Sequence, residues 1–130
     1  MPGPARAGAL IYAKDLSRLS HFYQQVLSMQ VLLADDEHHV LESADFQLIV
    51  HAIPPHIAAG ITLTEPPALR EDTAVKLFFS VSDLAAEAAV MVRLGGCLFE
   101  PVWPGPGFAV RNGCDPEGNI FQLRQWHAEA

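Results

Sequence analysis

"ALIYAKDL" (residues 9–16) is an apolar run that ends in Asp-Leu, and "LFFSVSDL" (77–84) repeats that pattern about half the chain later. Each run has the composition of a short strand, and each leads into a helical pattern. After Asp15 the apolar residues Leu19, Phe22, Tyr23, Val26 and Leu27 recur at i, i+3, i+4, i+7 and i+8, one face of a helix. Asp15 or Ser17 can cap it. After Asp83 the alanine-rich "LAAEAAVMVRL" (84–94) is helical by propensity, with Ser82 or Asp83 as its cap and Gly95 and Gly96 as its stop.

Three strand candidates follow each helix. They are "QVLLADD" (30–36), "HHVLES" (38–43) and "FQLIVHAI" (46–53) in the first half, and "CLFEPVW" (97–103), "GFAVRNG" (107–113) and "NIFQLRQ" (119–125) in the second. The order is βαβββ, twice: a first module over 8–53, a linker over 54–73 and a second module over 74–126 of one 130-residue domain. The linker segment is rich in proline and carries acids, and its "ITLT" (61–64) is a candidate for a short edge strand. Ahead of the last strand stands "DPEGNIFQL" (115–123), where Asp115, Pro116, Gly118 and Asn119 are turn residues and Gln122 is an amide between apolar neighbours.

Composition narrows the function classes. With 130 residues, half of them hydrophobic, the chain suffices for one domain with a real core. A formal net charge of −7 and a pI near 5.2 argue against nucleic acid as a partner, because phosphate binding needs clustered Lys and Arg. The opening "MPGPARAGALIYAKD" (1–15) lacks a long apolar core before a small-residue cleavage site, and no uncharged apolar run is long enough to cross a bilayer. The expectation is a cytoplasmic protein that binds neither membrane nor nucleic acid. Cys97 and Cys114 stand apart with no CxxC spacing and read as free thiols that pack.

The doubled βαβββ unit, with "DLSRLSHFYQQVLSM" (15–29) after its first strand and "DPEGNIFQL" before its last, resembles the glyoxalase, bleomycin-resistance and extradiol-dioxygenase superfamily, the vicinal oxygen chelate proteins. The resemblance runs from about Gly8 to Gln125. It implies an α+β fold in which tandem modules form a curved mixed sheet around a cavity. It also implies a divalent metal, held by a His at the start of each module's first strand and a carboxylate in each module's last strand. A homodimer is implied too, and the connector at 53–73 would permit a swapped one.

Placed on this sequence, those ligand positions are poorly filled. Counting back from Asp15 puts the first His at Gly8, and the same count from Asp83 lands on Lys76. The last-strand carboxylate falls on Gln122; in the first module it falls on Gln47 or on Ile49, depending on the register chosen. Cations of this kind want carboxylate oxygen or neutral imidazole, and an ammonium would repel them. The expectation is no metal and no other cofactor, with Gln122 as a hydrogen-bonding group in a cavity.

The six histidines bear on that expectation. His51 shares parity with Gln47 and Ile49 and with Gln122 could form an incomplete metal site, although a lone strand histidine is more often packed or hydrogen-bonded. His38 and His39, being adjacent, point to opposite faces of a strand and cannot both serve one ion. His21 lies off the apolar helix face, His56 in a proline loop and His127 near the end of the chain.

Lys76 has two readings. Pointing inward among Tyr12, Ile49, Phe78 and Ile120, it needs a countercharge, from Glu42 or an anionic ligand; alternatively, it reaches water along its own stem. Tyr12 has inward parity, and Trp103 falls where the family often places a loop over the cavity mouth. The expected partner is a small organic molecule, anionic or aromatic, bound by Tyr12, Gln47, Ile49, His51, Lys76, Phe78, Trp103 and Gln122. Two classes of function stay open: a metal-free binding protein like the bleomycin-resistance members, or an enzyme, namely a lyase, isomerase or dioxygenase with a non-standard site.

Overall fold

A computed structural model describes residues 5–127; residues 1–4, part of the segment read above for a leader, and 128–130 lie outside them. The architecture is α+β, with two mixed sheets in two compact units, Met1–Leu63 and Thr64–Ala130.

In the first unit the order is β1 (Gly8–Ala13), α1 (Leu16–Leu27), β2 (Gln30–Ala34), β3 (His38–Glu42) and β4 (Gln47–Ala52), followed by a short α2 (Pro55–Ala58). The sheet order is β1-β4-β3-β2, with β1 parallel to β4 and the other pairs antiparallel. Asp15 caps α1 by accepting a hydrogen bond from the Arg18 backbone N–H at 3.2 Å. The helical apolar face then delivers Leu19, Phe22, Tyr23 and Val26 into a core with Leu41, Leu48 and Val50. Ser20, buried in the same helix, is satisfied by Gln24 Nε2 at 3.0 Å and by His39 Nδ1 at 2.7 Å. The segment "ITLT" adds no strand; among the described residues the linker holds the short α2 and, at Arg70, an isolated parallel bridge to Asn119.

The second unit runs β5 (Phe78–Ser80), α3 (Leu84–Arg93), β6 (Cys97–Leu98), β7 (Trp103–Gly105), β8 (Phe108–Cys114) and β9 (Ile120–Trp126). The strand order is β5-β9-β8-β6, with β5 parallel to β9 and β7 also paired to β8. The strand expected over 97–103 is thus broken in two. Pro101 has no N–H to give a ladder, and Arg111 reaches across, Nε donating to the Phe99 carbonyl at 2.7 Å. Asp83 caps α3 through the backbone N–H groups of Ala85 (3.0 Å) and Ala86 (3.3 Å). Gly95, at φ +96°, turns the chain out of the helix.

Ahead of β9 the turn read from the sequence is tightly built. Asp115 is fully buried, and its carboxylate accepts from the N–H groups of Glu117 (2.9 Å) and Asn119 (3.1 Å) and from Asn119 Nδ2 (2.8 Å). Gly118 sits at φ +85° with the Ala68 carbonyl against it, so that a Cβ there would collide with backbone.

Cys97 and Cys114 face each other across β6 and β8 as free thiols with sulfurs 3.5 Å apart. Burial, and then the neighbouring Cys97, push the Cys114 thiol up to about 12. A raised thiol pKa keeps the group protonated and unreactive through neutral and mildly alkaline pH. Iodoacetamide at pH 8 is therefore expected to leave Cys114 unmodified in the native protein and to alkylate it in denaturant, read by peptide mass spectrometry. Rapid native labelling of Cys114 would contradict the buried placement.

Candidate functional site

Strand alternation in the second module sends Phe121 and Leu123 into the core and leaves Ile120, Gln122 and Arg124 on the other face of β9. The register fixes their neighbours: Phe78 and Ser80 lie beside Gln122 and Arg124 on one side, Asn112 and Val110 on the other. Trp103 and Gly105 of β7 extend this face past Val110 and Phe108. The result is a cleft of about 400 Å³, with Trp103, Pro104, Gly105 and Phe108 as walls and Val110, Asn112, Gln122 and Arg124 as floor. A Cβ at Gly105 would fall 2.4 Å from the Phe108 ring, so any larger residue there would have to push that ring aside. Trp126 backs the wall, its ring centroid 4.8 Å from that of Phe108 and its Nε1 donating to Ser80 Oγ at 3.2 Å.

Arg124 is the cation of this cleft. Its guanidinium carbon lies 3.7 Å from the Phe78 ring centroid and 4.8 Å from that of Phe108, so two aromatic rings hold it in place. Its hydrogen bond to Gln122 Oε1 is long, at 3.5 Å. Arg124 Nε and Asn112 Oδ1 are buried with no hydrogen-bond partner among the described residues. Buried polar atoms are rarely left so, and here one is a donor and the other an acceptor, both on groups that line the cleft.

In the first module the open face carries Gly8, Leu10 and Tyr12 opposite Gln47, Ile49 and His51. The two modules can be aligned from their Asp-Leu pairs. Ile49 lies beside Leu10 as Gln122 lies beside Phe78, and His51 beside Tyr12 as Arg124 beside Ser80. His51 Nδ1 contacts the Ala52 carbonyl at 2.8 Å, and its ring is 5.6 Å from Tyr12 and stacked at 6.0 Å on His38. His39 turns the other way, to Ser20 of α1. Asp35 stands 3.3 Å from His38 Nδ1, and the backbone N–H groups of His38 and Glu37 hold its carboxyl below the usual carboxylate range.

Two sequence expectations are adjusted here. Trp103 does not sit in an irregular loop: it pairs with Val110 in β7, because the hairpin at 105–108 closes tightly enough to extend the sheet. Lys76 lies ahead of β5, exposed, and is not among the residues that line the cleft; β5 starts later than the count from Asp83 assumes. Arg124, Asn112, Phe108 and Val110 were not anticipated. The available signal was parity, since Arg124 is two residues beyond Gln122 on the same strand and so shares its face.

The residues present do not suit the metal that the resemblance implies. Gly8 offers no donor, and a Cβ there would meet the Gln47 carbonyl oxygen at 2.4 Å, so the position is closed to a side chain. Ile49 is apolar, Gln122 is a weak neutral donor and Lys76 is a cation. Among the described residues no group of three or more His, Cys, Asp or Glu could hold a metal ion.

No helix among the described residues is long and apolar enough to cross a membrane. No curated protein matches the sequence. Solved structures do match the fold. A glyoxalase/bleomycin resistance protein/dioxygenase family enzyme from Burkholderia phytofirmans PsJN is 19% identical, with a TM-score of 0.67 over 92% of this chain and 97% of its own. The fosfomycin resistance protein FosX from Listeria monocytogenes is 14% identical, with a TM-score of 0.64 over 92% and 91%. TioX from Micromonospora sp. ML1 is 16% identical, with a TM-score of 0.63 over 95% and 99%. With the Glyoxalase-like domain profile matching residues 9–124, nearly the whole doubled βαβββ pattern, the chain belongs to the glyoxalase-like family of the vicinal oxygen chelate superfamily.

Proposed function

We propose that the protein binds a small organic molecule, without a metal, in the cleft on the open face of its second module. The observation that carries this reading is the chemistry of the cleft floor, where the position of the family's carboxylate is an amide, Gln122, flanked by a second amide and a guanidinium. These groups orient a ligand by hydrogen bonds and charge, while Trp103, Phe108 and Val110 supply apolar surface, the usual division of labour in a small-molecule site. The lining residues include no carboxylate, imidazole or thiol to act as a base near neutral pH, so sequestration fits better than catalysis. The fosfomycin resistance protein among the similar structures is a precedent for a resistance role on this fold. A cytoplasmic homodimer goes with this reading, on the sequence grounds given above.

Protein purified without chelator is expected to carry well under one equivalent of Zn, Ni, Mn or Fe by plasma mass spectrometry, and a thermal-shift screen of small acids, aromatic metabolites and peptide antibiotics should yield stabilising compounds. Stoichiometric metal, or a screen in which only metal ions stabilise, would overturn the reading. Tyr12, Gln47, Ile49, His51 and Lys76 enter the same screen as alanine variants.

A further inference from the structure

We infer that the ligand is an aromatic monocarboxylate that also carries a hydroxyl or amino donor, an inference that rests on the cleft being the binding site. Four features lead to it.

The lining has one cation and no acid, in a protein whose formal charge is −7. A single guanidinium with no acidic counterpart in the lining thus marks a place where an anion is preferred over a neutral or cationic group. The atom left without a partner is Nε. Together with an adjacent Nη, Nε forms the side edge of the guanidinium, whose two parallel N–H bonds match the two oxygens of a carboxylate. The guanidinium lies over the Phe78 ring at 3.7 Å, with the Phe108 ring centroid 4.8 Å away, so an anion meets it along an edge; Nε is covered in this structure, and a turn of the side chain would bring its N–H into the cleft.

The charge balance favours a monoanion. A phosphate or phosphonate dianion would bring a second negative charge into a cleft with one cation and only amides besides, leaving half of its charge unmatched. A carboxylate is neutralised by Arg124 alone.

Asn112 Oδ1 requires the donor. It is a buried acceptor without a partner, and Asn112 is diagonal to Arg124 across the β8–β9 ladder, since Val110 is the residue directly opposite. Diagonal neighbours on one sheet face are separated by roughly 7–8 Å between Cα atoms. Turning the amide would replace an unpaired acceptor with an unpaired donor; a hydroxyl, which both donates and accepts, answers either orientation, whereas an amino group answers only the first. A planar ring with a carboxylate at one end and a donor at the other spans such a diagonal. The ring itself would lie against Trp103 and Val110, an indole and an aliphatic wall suited to stacking and apolar contact.

The probes are 4-hydroxybenzoate, its neutral counterpart 4-hydroxybenzamide, benzoate, and 4-hydroxycyclohexanecarboxylate, each titrated into the full chain by nuclear magnetic resonance. The Arg124 Nε–H and the side-chain amides of Asn112 and Gln122 report on the site directly. The expected order has 4-hydroxybenzoate tightest, with 4-hydroxybenzamide weaker by at least about tenfold, the loss typical of leaving a partly desolvated charge unpaired. Arg124→Met should erase the preference for acid over amide, and Asn112→Ala the preference for 4-hydroxybenzoate over benzoate. Folding of both variants is checked by their backbone spectra.

Acid and amide binding equally at these resonances would overturn the monocarboxylate class while leaving the cleft as the ligand site. The cyclohexane acid binding as well as 4-hydroxybenzoate would overturn the aromatic part. If no probe moves any resonance of β8 or β9, the class is wrong; if the compounds found by thermal shift also leave those strands unmoved, the cleft reading fails with it.

Discussion

Asp115→Ala is expected to destabilise the second module by about 4 kcal/mol, because one fully buried carboxylate satisfies three donors at once. Removing it leaves the N–H groups of Glu117 and Asn119 and the Asn119 amide without their acceptor, each at a cost of roughly 1–3 kcal/mol when water cannot take its place. The turn also presents the Glu117 and Gly118 carbonyls to Arg70, with distances of 3.3 Å to Nε and 2.9 Å to the backbone N–H. Losing the turn therefore frees the strap at 68–70 and the start of β9 together. Both tryptophans, Trp103 and Trp126, lie in this module, so their fluorescence follows its unfolding selectively. A midpoint lowered by about 15 °C is expected for a chain of this size. Asp115→Asn, which keeps one acceptor oxygen, should fall between. A shift of only a few degrees for Asp115→Ala would show that water reaches the turn.

Phe22→Ala should be comparably severe, about 3–5 kcal/mol, in the first module. Phe22 is the largest fully buried side chain, with its ring edge-on to Tyr23 at 5.1 Å, and its helix packs on β3 and β4 through Leu19, Leu41 and Leu48. A small module surrounds it with backbone that cannot collapse to fill the space, so the cavity contribution adds to the lost apolar burial. Tyr23 lies in this module and neither tryptophan does, so hydrogen exchange of the α1, β3 and β4 amides is the direct measure. Protection there should fall by several orders of magnitude. Unchanged protection would mean that α1 is not anchored through Phe22.

Much of the fold was legible because local signals agreed. The Asp-Leu pairs mark strand ends and helix caps at once, and the structure uses Asp15 and Asp83 as those caps. The Asp115 turn was readable for the same reason. The strand break at Pro101 had its signal in the proline, but a strand and a hairpin sharing one neighbour cannot be told apart by alternation alone. The site was less legible, for two physical reasons. Counting back from the Asp-Leu pairs assumes strands of equal length, and β5 is half the length of β1, which leaves Lys76 outside it. Cross-strand neighbours depend on register, so the stack of His38 on His51 and the pairing of Asn112 with Gln122 could not be read from either strand by itself. Arg124, between Leu123 and Gln125, resembles a solvated strand terminus until the Phe78 and Phe108 rings are seen beside its guanidinium.

The close approach of β1 to β4 at Gly8 bears on engineering. A ligand can be introduced by substitution only where there is space for a side chain. Here the Gln47 carbonyl oxygen lies 2.4 Å from where a Cβ at position 8 would stand, so main chain occupies that space. A histidine at position 8 would have to displace a hydrogen-bonded strand before it could meet an ion, because Gln47 N donates to the Ala7 carbonyl at 2.9 Å beside it. A single substitution at position 8 does not therefore install a ligand. A metalloenzyme built on this scaffold would need its ligands elsewhere, or its first strand re-laid.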